Sequence, residues 1–255
     1  MQLSTGSIDF GYPWWLSYGH VPLLAVAAFL LVIGGIRKWS NWSKLLLAVF
    51  ALWSAAAFTV ERFVFDINRP PALPTEAFLR SGAGRILDIG AGTGRSSIMV
   101  LRSRPQATLV ALDLFAESFD QHFGHSETPQ QKLLANLKAV GADQRTTITT
   151  ADMRKLPFEP SSFDAIVSAY AMDHLNRKGT DQSLAEAARV LKPGGDFLLL
   201  LIANEKWAKF TFGPLLSHGG FRGAGWWASH VEEAGFQVVE EGTRPLTLFL
   251  LARRK

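Results

Sequence analysis

The chain has 255 residues, 48% of them hydrophobic and 19% charged, with a net charge of +4 and no cysteine. That length holds one α/β domain plus a small addition, and the lack of cysteine excludes a disulfide framework, a thiolate metal site and a cysteine nucleophile. A pI near 9.5 suits either nucleic acid or an anionic membrane surface, but the lysines and arginines are scattered without a basic, aromatic stripe, which disfavours nucleic acid.

Residues 10–19 are dense in aromatic side chains, with Tyr12, Trp14, Trp15 and Tyr18, and no Lys or Arg precedes Arg37. This is the pattern of a membrane-interface belt and not of a cleaved signal peptide. Two uncharged runs, 21–36 and 45–60, flank a basic and aromatic segment with Arg37, Lys38, Trp39, Trp42 and Lys44. Residues 1–65 are expected to form an N-terminal α-helical membrane hairpin, an anchor in contact with lipid; the competing reading is two apolar helices packed on a soluble domain. Each run is about 24 Å long as a helix, short of a hydrocarbon core of roughly 30 Å. The positive-inside rule places the 37–44 loop in the cytoplasm and would put a domain after the second span outside. Either the loop is external despite its charge, or the second run lies in the interface as a monotopic helix.

Residues 66–75 are proline-rich and cannot continue a helix, so they serve as the connector to a domain over 76–255. Thr75 is expected to cap a short helix through Leu79. From 86 onward, short apolar runs at 108–112, 146–149, 165–168, 196–202, 236–240 and 246–252 alternate with helical patterns, which means a mostly parallel sheet covered by helices. The last two runs are joined by only a few residues, so the final strand closes the sheet antiparallel to its neighbour.

The stretch 85–96 organises the rest. Its apolar run stops at Asp88 and turns through Gly90, Gly92 and Gly94 before a helix start. Glycines there let backbone approach a ligand closely, and the free N–H groups of the helix start receive anionic oxygens. A dinucleotide loop wants Gly or Ala where Arg95 stands, which weakens a nicotinamide-reductase reading. An acid before the first glycine suits a cationic amine, such as that of S-adenosylmethionine. Asp113 ends the next strand, where a carboxylate reaches both ribose hydroxyls.

Asp88 followed by glycines at 90, 92 and 94 resembles motif I of the class I S-adenosylmethionine-dependent methyltransferases, and the resemblance runs over roughly 72–252. It implies an α/β, Rossmann-like sheet of about seven strands with S-adenosyl-L-methionine as cofactor. The implied cofactor-binding residues are Asp88, Gly90, Ala91, Gly92, Gly94, Asp113, Leu114, Asp152, Met153 and Ser168. In the family, Asp152 would meet the adenine amino group and Met153 would lie against the ring, while the 163–175 segment passes beneath the sulfonium. The 186–195 segment resembles the family's helix, turn and fifth strand.

A general base matters only if the acceptor must lose a proton. His174, oriented by Asp173 or Tyr170, is the preferred candidate, and His122, His125 and His218 lie in other segments expected over the strand ends. His122 and His125 are spaced as in some metal sites, but with no cysteine and no nearby helical heptad no metal is expected. Aromatic residues Phe115, Phe119 and Phe123, and then Trp207, Phe210, Phe212, Phe221, Trp226 and Trp227, suit an apolar acceptor if they do not simply fill a core. The expected function is a membrane-anchored methyltransferase, its domain facing the cytoplasm, acting on a small lipophilic acceptor (quinol, phenol, thiol or lipid head group). The alternative is a membrane-tethered cofactor-binding or scaffold protein without turnover. A chain beginning near residue 70 keeps all the cofactor acids and is expected to bind S-adenosylhomocysteine normally.

Overall fold

The computed structural model describes residues 8–64, 66–115, 128–203, 210–211 and 222–255. Three helices come first: α1 (Trp14–Tyr18), α2 (His20–Ile36) and α3 (Asn41–Phe63). The turn between the last two closes because Trp39 N–H donates to Gly34 O and the Trp39 ring lies where a side chain on Gly34 would stand, 3.0 Å from its Cβ. Ser40 then caps α3 by accepting from the Ser43 N–H.

The sequence expectation for α3 was too short. The helix starts inside the basic segment and continues past Glu61 and Arg62, so its 23 residues span about 34 Å. It is long and apolar enough to cross a membrane, with only 17% of its most apolar window buried. At 17 residues, α2 spans about 25 Å.

The connector is held by polar contacts: Asp66 pairs with Arg62 and Arg69, and Asn68 donates to Ser17 Oγ. No short helix follows Thr75. Residues 76–81 form turns, because Leu79 takes a left-handed φ of 43° and its N–H goes to the Asp196 carboxylate.

The sheet has seven strands in the order β3-β2-β1-β4-β5-β7-β6. They are β1 (Arg85–Ile89), β2 (Thr108–Asp113), β3 (Thr146–Thr150), β4 (Phe163–Ala169), β5 (Leu191–Ile202), β6 (Phe236–Arg244) and β7 (Thr247–Arg254). The first five are parallel, and β7 runs antiparallel to both β5 and β6. The covering helices are α4 (Arg95–Ser103), α5 (Pro129–Ala139), α6 (Arg177–Val190) and α7 (Ala224–Glu233). Period-two alternation along each strand feeds two cores. Leu87, Ile89, Ile166, Phe197 and Leu199 pack with Leu184 and Trp227 on one face. Ile86, Val167, Leu198 and Leu200 pack with Ile98 and Leu133 on the other.

The fifth strand begins earlier than its apolar run. Leu191 pairs with Phe163 and Asp196 with Ala165, so residues 192–195 bulge out between them, with Gly194 at φ 74°. Trp227, an expected wall residue of the acceptor site, is instead a core residue at 2% exposure.

Several contacts tie the N-terminal segment to this domain. Phe10 is 1% exposed and belongs to the same core as Phe78 and Ile98, while Asp9 pairs with Lys132 and donates its backbone N–H to Asn136 Oδ1.

Candidate cofactor and acceptor site

The strand order reverses between β1 and β4, and open α/β sheets bind ligands at the carboxyl ends on either side of such a reversal. The glycine turn leaves β1 at that point. Gly90 and Ala91 N–H groups both donate to Leu112 O, which folds the turn over the end of β2. Gly90 has φ 78°, and a Cβ there would lie 2.2 Å from Ala171 Cβ; Gly94 has φ 95°, and a Cβ there would lie 2.6 Å from Leu133 Cδ1. Gly90 therefore excludes a side chain on two counts, conformation and space, and Gly94 on conformation.

Asp113 holds this turn. Its Oδ2 accepts the Gly92 N–H at 2.9 Å and its Oδ1 accepts the Phe115 N–H at 3.0 Å. Each oxygen keeps a free lone-pair direction, and the residue is half-buried at the sheet edge, beside the exposed Leu114. The Ala151 N–H donates to Asp113 O, so Asp152 and Met153 follow at the same edge. Met153 Cε comes within 3.5 Å of a Cβ built on Gly90. Gly90, Asp113 and Met153 thus converge, with a side-chain-free surface, an acid and an apolar flank.

Asp152 is clamped by Arg154, whose Nε and terminal nitrogen reach both carboxylate oxygens at 2.6–3.0 Å. That bond holds the Asp152 carboxyl below the usual range. Sequence reading passed over Arg154, although a cation two residues after the acid was its visible sign.

Asp88, expected to meet a ligand amine, stands near the end of β1. It is fully buried, and its carboxylate accepts from the hydroxyls of Ser96 and Ser97 in the first turn of α4. Burial pushes its carboxyl up to about 6 despite those bonds. Its work in this conformation is to fasten the glycine turn to α4. Ser168 is likewise buried, donating to Ile89 O and stitching the ends of β4 and β1 together.

The segment after β4 carries the candidate base. Tyr170 takes a left-handed φ of 53°, its hydroxyl bonds Thr247 Oγ1 at the start of β7, and the Arg95 guanidinium lies 5.9 Å from its ring. Burial raises the Tyr170 hydroxyl above its ordinary value. Asp173 and His174 share a 3₁₀ turn (Met172–His174). Asp173 Oδ1 is buried with no partner among the described residues, and burial raises its carboxyl against the pull of His174. His174 is exposed. An exposed imidazole beside a buried acid can take a proton from an acceptor that reaches the strand ends.

His122, His125 and His218, with Phe119, Phe123, Trp207, Phe212 and Phe221, lie outside the described residues. Trp226 stacks on His230 at 3.7 Å, and Arg222 lies over it at 4.1 Å. Among the described residues no group of three His, Asp or Glu side chains stands ready for a metal. A cleft lined by Arg85, Thr108 and Thr146 opens at the amino ends of β1–β3, the edge away from these groups.

The residues at the carboxyl edge fit S-adenosylmethionine: a turn that only glycine can make, an acid at the end of β2 with acceptor capacity left, and a methionine flank. Gly90, Gly92, Asp113, Asp152 and Met153 would hold it, and bound there it supplies a methyl group from its sulfonium.

Comparison with known proteins agrees. Residues 86–195 match the family model described as a methyltransferase domain. The ubiquinone/menaquinone biosynthesis C-methyltransferase UbiE of Rhizobium leguminosarum bv. trifolii is 35% identical over 117 residues, covering 46% of this chain and 40% of that protein. The protein of the same name from Syntrophotalea carbinolica is 31% identical over 120 residues, covering 47% of this chain and 44% of its own. The chain therefore spans less than half the length of these curated relatives. An O-methyltransferase family protein from Burkholderia thailandensis has the same fold, with a TM-score of 0.56 at 17% identity over 91% of this chain and 71% of that one. Residues 86–195 thus match a methyltransferase domain, on a sheet with the fold of a solved methyltransferase-family protein, and the cofactor these likenesses imply is S-adenosylmethionine.

Proposed function

We propose that this protein is a membrane-held methyltransferase that transfers the methyl group of S-adenosylmethionine to a lipophilic, quinol-type acceptor. The observation that carries the reading is the pairing of the cofactor edge with an apolar outer surface on the hairpin: Phe29, Val32, Leu46 and Leu52 are 61–71% exposed. A soluble domain leaves patches of that kind bare only at a cost, whereas a bilayer covers them. The partial likeness to two C-methyltransferases named for ubiquinone and menaquinone biosynthesis supports a ring acceptor. A small molecule that partitions into the membrane is scarce in water, so a pocket held at the interface meets it far more often.

In C-methylation the ring carbon takes the methyl, its own proton leaves to a base, and S-adenosylhomocysteine remains. His174, with Asp173 beside it, is the proposed proton acceptor, and the domain faces the cytoplasm. The test is methyl transfer from labelled S-adenosylmethionine by the full-length protein in lipid nanodiscs, offered demethylated quinols, simple phenols, thiols and phospholipid head groups in parallel. Label in the quinol fraction supports the reading. Transfer confined to thiols or head groups, or no transfer to any by a protein that binds S-adenosylhomocysteine, would sink it.

A further inference from the structure

A second cleft, of about 430 Å³, opens at the foot of the hairpin and is walled by Tyr12, Trp14, Tyr18, Arg62 and Arg69. Its size is in the range of small-molecule sites. Its walls are aromatic faces and two guanidinium groups that share the Asp66 carboxylate, so aromatic stacking, the N–H groups left over on the arginines and the acid suit a ring bearing hydroxyls.

Two links join it to the cofactor edge. Arg69 O accepts from Arg95 Nε at 3.4 Å, and the Arg95 guanidinium lies 5.9 Å from the Tyr170 ring. Tyr12 and Tyr170 also pack against the same core. The other end faces outward: Trp14 is 65% exposed and Tyr18 43%, as aromatic residues at a bilayer interface are.

A third observation comes from the residue that precedes Arg62 of the cleft wall. Glu61, next to Arg62 on α3, is 2% exposed, and both its carboxylate oxygens lack a partner among the described residues. Asp66, which lines the cleft, is close enough to repel its charge. A buried carboxylate without donors is costly, and buried polar atoms are nearly always satisfied. A ligand hydroxyl is a donor of the kind it lacks.

We propose that this cleft receives the hydroxyl-bearing ring of the lipophilic acceptor from the bilayer and passes it to the edge carrying Tyr170. The inference rests on the quinol reading above. On this proposal α1 and α3 build part of the acceptor site as well as anchoring the protein.

The test is photolabelling of the full-length protein in phosphatidylcholine nanodiscs with an azido-benzoquinol carrying a short isoprenoid tail, mapped by peptide mass spectrometry. Label in segments 8–18 or 61–69, displaced by unlabelled quinol, is expected. Tyr18→Ala and Glu61→Gln should each lower that label at least fivefold and raise the acceptor KM, leaving S-adenosylhomocysteine affinity within twofold. Glu61→Gln should also melt no lower than the parent, since its carboxylate has no partner to lose among the described residues, so a fall in label there is not a fall in folding. Label confined to other segments, or folded variants with unchanged label, overturns the proposal. Displaceable label in the cleft without methyl transfer to any quinol would instead overturn the function reading and leave the cleft as a ring site.

Discussion

The Thr93 hydroxyl, in the middle of the glycine turn, donates to the main-chain oxygen of Phe10 at 3.0 Å, although 83 residues separate them. The Asn136 side chain donates to both Asp9 O and Thr93 O, so the N-terminal segment, the turn and α5 form one hydrogen-bonded unit. The segment that precedes the hairpin is therefore part of the cofactor domain's packing.

A chain beginning near residue 70 should accordingly be poorly folded, contrary to the expectation from the position of the acids alone. Phe10→Ala isolates the effect: removing a fully buried Phe should cost about 3–5 kcal/mol. Thermal melts and S-adenosylhomocysteine titration check it. A truncated protein that melts and binds like the full chain would show that Phe10 contributes nothing.

Asp88 predicts a pH dependence with a definite sign. Its carboxyl is raised to about 6 in the folded protein, above its unfolded value, so the native state holds the proton more tightly than the unfolded chain. Stability from this group is complete at low pH and is lost as pH rises through about 6, a change on the order of 3 kcal/mol. Asp88→Asn removes that loss. Unfolding free energies of variant and parent, compared at pH 4 and pH 7.5, should move in the variant's favour by a sizeable part of this amount; a constant difference would show that Ser96 and Ser97 keep the carboxylate ionised throughout.

The cofactor turn gives a paired prediction. Gly90→Ala must push Ala171 away and adopt a left-handed φ, so S-adenosylhomocysteine binding should fall below detection. Asp113→Ala frees the Gly92 and Phe115 N–H groups and should weaken it at least tenfold, about 1.4 kcal/mol or more. Asp152→Ala should do less, because Arg154 already occupies that carboxylate. Calorimetric titration ranks the three, and an Asp152 effect larger than that of Asp113 would reverse the assignment.

How much of this was legible in the sequence depends on the range of the contacts. The alternation of runs from Ile86 onward and the short link before β7 were enough for the sheet, because strand period and loop length act locally. Gly90, Gly92 and Asp113 were legible because a turn and a strand end carry their own residue preferences. The Phe10 insertion was not, since its partners lie across the whole hairpin. Nor was the turn at Leu79, where a bond to Asp196, 117 residues on, overrides the helix that Thr75 would start. The serines that absorb Asp88 were visible in sequence, but only the fold turns them toward it.

His174 carries the last prediction. It is exposed beside Asp173, whose buried Oδ1 has no partner among the described residues and which sits within the same 3₁₀ turn, and neither group takes part in the contacts that fix Gly90 or Asp113. A positioned base typically contributes about 10²–10⁴-fold to turnover, so His174→Ala should lower kcat by at least tenfold on an acceptor that must lose a proton, with S-adenosylhomocysteine affinity unchanged. Asp173→Asn should act more weakly, by loosening the imidazole. Because burial raises the Asp173 carboxyl, the parent's acid limb should extend above the ordinary carboxylate range, and the Asn variant should lose that part of the profile. Turnover across pH for both variants, with cofactor affinity measured alongside, distinguishes these roles. A His174→Ala protein within twofold of the parent, on a quinol that the parent methylates, would move the base to another residue.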